Sequence, residues 1–308
     1  MLTKPTSPLN TDSGSASAPE RYIYQPPAAL VSFSDAVGLL SARGYTTVVG
    51  PVDITNPTAV SKIRQQGAAS GMVFADHALD RNRFQKYVAD AGYRVQYANY
   101  YRGNQVEKSL EHFIALELLQ IAGNDVFIDI ASEQSPFAEI VARLKGATTF
   151  SQDIMYPDGV IGNRIGGDAC AMPVPDGFAS KACLTCSLEH FEDDGDTRLF
   201  VELARVLRPG GAVCIVPFYV NTEAVTQTDP VVSIGVNVPF ESGRPIHCAE
   251  GWGNRHGRFY SPESFVRRIA EPLRERFRFD FLCLTDAAAI DPTVYARFAF
   301  VATRLPFN

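Results

Sequence analysis

The stretch from Asn163 to Tyr219 constrains the fold of this chain more than any other part of its sequence. Its residues predict, in order, a strand, an acidic turn, a second strand, a helix, a Gly-rich turn and a third strand. The segment before it continues the alternation, with strand-like runs at 125–131 and 147–153 on either side of a helical run at 137–144. Such alternation is typical of α/β folds, so we predict a doubly wound, mostly parallel sheet within residues 106–308.

Charge and composition narrow the classes of partner. The 308 residues carry a formal charge of −6 and contain no long basic run, which argues against a nucleic-acid partner. No apolar run reaches the length of a membrane helix, and the Ser-, Thr- and Pro-rich start lacks the apolar core of a signal peptide. Cys183 and Cys186 lie three apart on a strand-like segment, where their side chains face opposite ways, so we expect no metal. We therefore expect a soluble cytoplasmic protein; a homodimer is compatible with this expectation.

The first third of the chain has a composition of its own. Residues 1–20 are too polar to offset the entropy of ordering, and we predict a disordered tail. Residues 21–105 predict a small α/β appendage that caps the substrate side of the main domain. Its end carries tyrosines that either line a substrate cleft or pack against the main domain. These tyrosines are Tyr97, Tyr100 and Tyr101.

The next segment, residues 106–121, shows the spacing of one buried helix face. His112 falls on the opposite side of that helix from the apolar stripe. We therefore predict a surface histidine at this position.

Three acidic residues follow three successive predicted strands. They are Asp129, Asp153 and Asp168. In doubly wound sheets, ligands bind beyond the carboxyl ends of the strands, so these carboxylates should meet at one crevice. An acid at the place of Asp153 suits two ribose hydroxyls, since a carboxylate accepts both donors at once. Asp168 is suited to accept a hydrogen bond from an adenine amine.

Four short pieces in this order and spacing resemble the second half of class I S-adenosylmethionine-dependent methyltransferases. They are GDA (Gly167–Ala169), MPVPDG (Met172–Gly177), SLEHFED (Ser187–Asp193) and ARVLRPGG (Ala204–Gly211). The resemblance covers about residues 107–305 and is strongest to the branch that modifies small molecules and glycans. It implies a seven-stranded Rossmann-like sheet and S-adenosylmethionine as cofactor, with Ala169 and Ser187 beside the three acids in its site.

The turn after the first strand departs from the family pattern. The family places glycines at alternating positions there, so that the backbone can approach the methionine part of the cofactor. This chain has Ala131, Glu133 and Ser135 at those positions. Ala and Ser are tolerated if φ stays negative, whereas a Glu carboxylate would repel the carboxylate of the cofactor. A second departure follows Asp153, where a Pro- and Gly-containing loop replaces the usual helix.

The candidates for a general base are His190, at the end of the fourth strand, and His256. His256 belongs to the Gly- and Pro-rich segment 221–256, which we expect to form a lid loop over the substrate. The resemblance predicts methyl transfer to a small molecule or a sugar, in glycan or secondary-metabolite biosynthesis. Two alternatives stay open: a non-catalytic protein of the same fold that serves as a binding or scaffolding subunit, and a nucleotide-sugar enzyme that binds NAD in the same crevice.

Overall fold

The computed structural model describes residues 31–236 and 238–306. The predicted tail, residues 1–20, lies outside the described residues. Within the described ranges, no helix combines the length and apolar character needed to cross a membrane.

A nine-stranded sheet forms the centre of the molecule. Its strands, in spatial order, are β2 (Phe74–Ala78), β12 (Phe277–Thr285), β13 (Phe298–Arg304), β8 (Leu207–Val216), β7 (Ala179–Thr185), β3 (Val126–Ile130), β4 (Thr148–Asp153), β6 (Arg164–Gly166) and β5 (Gly159–Ile161). Pairing is parallel from β8 through β7, β3 and β4 to β6, and between β2 and β12. β13 is antiparallel to both β12 and β8, and β5 to β6. The predicted doubly wound, mostly parallel sheet is confirmed.

The strand count differs from the predicted seven at both edges of the sheet. β2 comes from the N-terminal region and pairs with β12. β5 comes from the loop after Asp153 and forms a hairpin with β6. The loop packs closely: a β-carbon at Gly166 would lie 1.8 Å from the carbonyl oxygen of Pro157, so only glycine fits there.

Helices cover both faces of this sheet, as a doubly wound fold requires. The helices are α1 (Phe33–Ala42), α2 (Pro57–Ala69), α3 (Arg81–Ala91), α4 (Gln105–Leu119), α5 (Phe137–Lys145), α6 (Gly195–Val206), α7 (Pro230–Ser233), α8 (Pro262–Phe265) and α9 (Ala287–Ile290). A 3₁₀ turn spans Leu188–His190, and a turn of π-helix, Val266–Ala270, continues α8. Two apolar cores contain neighbouring residues of β3. In one core Ile128 packs with residues of α2, α6 and α8, and in the other Phe127 packs with residues of α3, α4 and α5.

Local capping follows the sequence. Asn56 accepts hydrogen bonds from the N–H groups of Thr58 and Ala59, with Pro57 at the first helical position of α2. Ser261 caps α8 through a reciprocal pair of bonds with Ser264. Both helices therefore begin at capping residues that can be identified in the sequence.

Segment 221–256 is not an irregular loop. It contains β9 (Val225–Thr228), α7 and β10 (Ile246–Cys248), and both strands belong to a second sheet. That sheet has the order β1 (Thr47–Val49), β10, β9 and β11 (Gly257–Phe259). The missed strands are short: β10 pairs with β1, about 200 residues earlier in the chain, and β9 pairs with β10 and β11, so no local pattern reports this sheet.

Candidate functional site

A cavity of about 520 Å³ opens at the carboxyl ends of β4, β6 and β7 and at the turn after β3. This is the place where strand order reverses in the sheet, because β4 and β7 flank β3 on opposite sides. The cavity is lined by Tyr101, Asn104, Lys108, Ala131, Glu133, Gln152, Asp153, Ile154, Asp168, Ala169, Cys186, Ser187, Glu189, His190, Phe191, Tyr219, Trp252, Asn254 and Tyr295.

Most of the predicted site residues meet at this cavity. Its lining includes Ala131, Glu133, Asp153, Asp168, Ala169, Ser187 and His190. Asp129, Ser135 and His256 are outside that lining. Asp129 is fully buried at the end of β3, and Ser135 borders an adjoining space of about 60 Å³. His256 is only 2 % exposed and lies beside His190, so the structure gives it no surface on the cavity.

The turn after β3 keeps a glycine-like backbone without glycine. Ala131 has a φ of 51° and Glu133 a φ of 49°, in the left-handed region. The condition under which Ala131 would cost little, a negative φ, is therefore not met. Each residue carries a β-carbon where the left-handed conformation costs about 1–2 kcal/mol. The backbone amides of the turn are oriented as glycines would allow, at a cost in local strain.

Hydrogen bonds hold this turn against the end of β4. Asp153 accepts from the N–H of Glu133 through Oδ2, at 2.7 Å, and from the N–H of Met155 through Oδ1, at 2.9 Å. The amide of Gln152 accepts from the N–H of Ala131 and donates to the carbonyl of Gly167. The two strand ends and the turn therefore form one connected unit.

Asp168 lies across the cavity from the turn. Its Oδ1 accepts from the N–H of Cys170 at 2.9 Å, and its Oδ2 pairs with Arg198 at 3.2 Å. A carboxylate has about four lone-pair positions, so each acid keeps capacity for hydroxyl or amine donors of a ligand.

His190 is placed by the 3₁₀ turn after β7. Its Nδ1 lies 2.6 Å from the carbonyl oxygen of His256, and because a carbonyl only accepts, Nδ1 carries the proton. Nε2 then has a free lone pair in the neutral ring, 3.6 Å from Oε1 of Glu189. Trp252 packs beside the imidazole with ring centres 5.8 Å apart. This arrangement suits a general base at the cavity wall.

Burial perturbs two carboxyl groups at the ends of β3 and β7. It raises the pKa of Asp129 to about 6, partly opposed by hydrogen bonds from Ser135 and Cys183. It also raises the pKa of Glu189, which the neighbouring His190 opposes. Such groups are concentrated at functional sites, although buried structural acids behave in the same way.

Sequence reasoning missed a polar group on α4 and its neighbours. Lys108 lies with Nζ 3.3 Å from both carboxylate oxygens of Glu111, and Cys186 donates to Glu111 at 3.0 Å. Burial alone would lower the pKa of Lys108, but Glu111 raises it above its usual range. Tyr219 and Tyr295 contact the Cys186 sulfur at 3.3 and 3.4 Å. Helix spacing makes Lys108 and Glu111 neighbours, but Cys186, Tyr219 and Tyr295 reach them only in the folded chain, so the sequence carries no signal for the whole group.

The prediction for His112 is wrong. Its ring is completely buried, stacked on Phe137 with centres 4.4 Å apart, and hydrogen bonded to Tyr93 through Nδ1. Burial lowers its pKa to about 3, so the ring is neutral near pH 7. Helix α3 and the segment after it cover the face of α4 that would otherwise meet solvent. Both faces of α4 are therefore buried.

The tyrosines at the end of the N-terminal region divide between the two predicted roles. Tyr101 lines the cavity and donates to Glu133 at 3.0 Å. Tyr97 and Tyr100 pack against the core on the α4 side of the sheet.

A buried ion cluster ties the second sheet to α6. Arg258 on β11 is 1 % exposed and lies 2.9 Å from Asp196 in the first turn of α6. It also donates to the carbonyls of Phe191 and Asp193 at 2.8 Å. Asp196 further accepts from Tyr260 at 2.6 Å and from Arg268. The cluster holds the chain that follows His190 against the second sheet.

Comparison with known families gives one match. A family model described as "Methyltransferase domain" matches residues 113–215, the part of the chain that includes β3 to β7 and almost all of β8. No curated protein matches the sequence.

Three solved structures illustrate the similarity to known folds. The 1,6-didemethyltoxoflavin-N1-methyltransferase of Burkholderia thailandensis, solved with 1,6-didemethyltoxoflavin and S-adenosylhomocysteine, is 15 % identical, with a TM-score of 0.41 over 76 % of this chain and 94 % of that one. A Haloferax volcanii putative methyltransferase in complex with the Trm112 activator is 14 % identical, with a TM-score of 0.41 over 74 % and 98 %. The PH0226 protein of Pyrococcus horikoshii is 14 % identical, with a TM-score of 0.41 over 70 % and 97 %.

Proposed function

We propose that this chain, whose residues 113–215 form a methyltransferase domain of the class I S-adenosylmethionine-dependent superfamily, methylates a small molecule or a sugar. The observation that carries this proposal is the cavity at the carboxyl ends of the strands. Its volume of about 520 Å³ lies in the range of sites for cofactors and small ligands, about 300–1,000 Å³. We assign one half of the cavity to the methyl donor and the other half to the methyl acceptor, according to the side chains that line each half.

The residues of the first half fit S-adenosylmethionine by their chemistry. Asp153 and Asp168 are acceptors for ribose hydroxyls and for the adenine amine. Ala169 and Ser187 also line the cavity, and we assign them to this half. Glu133 would lie near the amino group or the sulfonium, where its negative charge is favourable. When bound, the cofactor supplies an electrophilic methyl group; the chain supplies its orientation.

The turn after β3 would hold the amino-acid part of the cofactor. Ala131 and Glu133 keep the left-handed backbone that glycines usually provide, and their N–H groups donate to Gln152 and Asp153, which fixes the turn beside the cavity. Asp129 and Ser135 support this turn from beneath and beside it.

The second half of the cavity would position the acceptor. His190 is the proposed general base, because Nδ1–H is fixed on the carbonyl of His256 and Nε2 has a free lone pair. We propose no catalytic role for His256. Tyr101 and Asn104 line the cavity together with Trp252 and Asn254, which supports the proposal that the region before residue 105 caps the substrate side.

Calorimetric titration with S-adenosylmethionine, S-adenosylhomocysteine and NAD tests the proposal. We expect one molecule of either sulfur compound to bind per chain and to raise the melting temperature, and NAD to do neither. A folded sample that gives neither heat nor thermal stabilisation with the sulfur compounds would refute the enzyme proposal and favour the binding or scaffolding role. NAD binding alone would favour the nucleotide-sugar enzyme.

The role of His190 needs an active acceptor, found by following S-adenosylhomocysteine production over a panel of small amines, phenols and sugars. His190→Gln should then lower kcat by roughly 10²-fold or more, while the Kd for S-adenosylhomocysteine stays unchanged. His247→Gln is the matched control, because His247 lies in β10, away from the cavity. Equal kcat values for the two variants would remove His190 from the mechanism.

A further inference from the structure

A carboxylate without a full set of partners lies in the wall of the acceptor half of the cavity. Glu189 is 4 % exposed and lines the cavity from the 3₁₀ turn after β7. Its Oε2 has no hydrogen-bond partner among residues 31–236 and 238–306, and its Oε1 lies 3.6 Å from Nε2 of His190. Burying a carboxylate oxygen without a donor is costly, and native structures rarely retain one unless a ligand or water supplies the donor.

The charges around Glu189 leave it largely uncompensated. Among the described residues that line the cavity, Lys108 is the one Lys or Arg side chain. Its ammonium is bound by Glu111, which is completely buried behind it, and it lies 5.2 Å from the ring centre of Tyr101. The positive charge of Lys108 is thus matched by Glu111, so the His190 ring is the one salt-bridge partner that Glu189 has among the described residues.

Aromatic rings surround the same part of the cavity. Phe191, Tyr219, Trp252 and Tyr295 all line it. Aromatic faces attract cations, with energies of about 0.5–2 kcal/mol that grow as water is excluded. A buried carboxylate beside several rings is a combination that favours a positively charged organic group over a neutral or an anionic one.

We propose that this half of the cavity binds an acceptor that carries a protonated amine, with the ammonium paired to Glu189 and enclosed by the aromatic side chains. The role of the ligand as a methyl acceptor rests on the proposed function. The class of ligand rests on Glu189 and its surroundings. An amino sugar or an aralkyl amine would carry the required ammonium group and could also serve as a methyl acceptor. A phosphorylated or carboxylated acceptor would meet Glu189 without a free cation to offset it.

Three probes of matched shape test the ligand class: phenethylamine, 2-phenylethanol and phenylacetate. Each is titrated into the full chain by calorimetry, with and without saturating S-adenosylhomocysteine. We expect the Kd of phenethylamine to be at least tenfold lower than that of either other probe. Glu189→Gln should abolish this preference, whereas Glu250→Gln, which removes the same charge from an exposed position outside the cavity lining, should keep it.

Four outcomes decide between the proposals. Equal affinities for the three probes, or a preference for phenylacetate, would overturn the inference even if S-adenosylhomocysteine binds. A Glu189→Gln variant that loses S-adenosylhomocysteine as strongly as phenethylamine would overturn it too, by assigning Glu189 to the cofactor. If the wild type does not bind S-adenosylhomocysteine but still prefers phenethylamine, the methyltransferase proposal is refuted and the amine site is supported. If Glu189→Gln does not fold, the wild-type probe series decides alone.

Discussion

Asp153 accepts a 2.7 Å hydrogen bond from the backbone N–H of Glu133, so the end of β4 holds the turn that follows β3. The same carboxylate also accepts from the N–H of Met155 at 2.9 Å. A residue suited to a ligand's hydroxyls is therefore also the residue that shapes the loop beside that ligand. Binding and loop conformation should respond together when Asp153 is changed.

Asp153→Ala should weaken the binding of S-adenosylhomocysteine by roughly 1–3 kcal/mol, which is about 5–150-fold in Kd, because charged hydrogen bonds are lost. Calorimetric titration measures the change. The control is Asp158→Ala, since Asp158 is exposed and outside the cavity lining. An unchanged Kd for Asp153→Ala would mean that this carboxylate serves the loop alone.

Ala131→Gly should raise the free energy of unfolding by about 1 kcal/mol, because glycine adopts the φ of 51° without the strain that a β-carbon brings. Urea denaturation measures the change. Ala142→Gly, within α5, is the matched control and should destabilise by about 1 kcal/mol. If both variants lose stability equally, the strain assigned to Ala131 is absent.

Asp129 should make the stability of the protein fall as the pH rises. Burial raises its folded-state pKa to about 6 from its usual value of 3.8, so folding favours the protonated form. This contribution is fully present below pH 4 and is lost as the pH rises through 6. Between pH 5 and 7.5 the wild type should lose roughly 1–2 kcal/mol relative to Asp129→Asn.

Urea denaturation of the wild type and Asp129→Asn at several pH values measures that difference. Other buried acids, Glu107 among them, titrate in both proteins and cancel in the comparison. Parallel pH profiles for the two proteins would show that Asp129 has an ordinary pKa in the folded state.

Arg258→Met should destabilise the fold by roughly 3–5 kcal/mol. It removes the 2.9 Å ion pair with the fully buried Asp196 and leaves two backbone carbonyls without their donor. Burial alone would raise the pKa of Asp196, but hydrogen bonds from Arg268 and the charge of Arg258 hold it below its usual value. Chemical denaturation measures the loss.

Arg274→Met provides the comparison for that variant. Arg274 pairs with Glu271 at the surface, where an exposed pair is worth about 0–1 kcal/mol. A similar loss in both variants would mean that the Arg258 cluster adds nothing beyond a surface pair.

The central sheet could be predicted because its signals are local. Each strand of the βα units is a short apolar run that ends in an acid or a turn, and helix caps such as Asn56 and Ser261 are visible in the sequence. The edge strands β2 and β5 carry no such run. Their pairing depends on partners that are distant in the chain or on a tight hairpin, so the sequence alone could not place them.

The part of the site that lies at the strand ends could be predicted from the sequence. Asp153, Asp168 and His190 follow strand ends, and topology brings strand ends together. Lys108 and Tyr295 come from elements far apart in the chain, and only the packing of α4 against the sheet brings them to the cavity. The same packing explains His112, whose helical position looks exposed until α3 covers it.

The pairing of β2 with β12 has a consequence for any shortened form of the chain. β2 occupies one outer edge of the nine-stranded sheet and pairs with the 281–285 part of β12, whose outward N–H and C=O groups it covers. A fragment that began at residue 106 would present the nine-residue β12 as a long, open edge, the kind of surface that recruits strands from other molecules. The N-terminal region therefore acts as a shield against self-association, and such a fragment should aggregate even where the rest of its sheet folds.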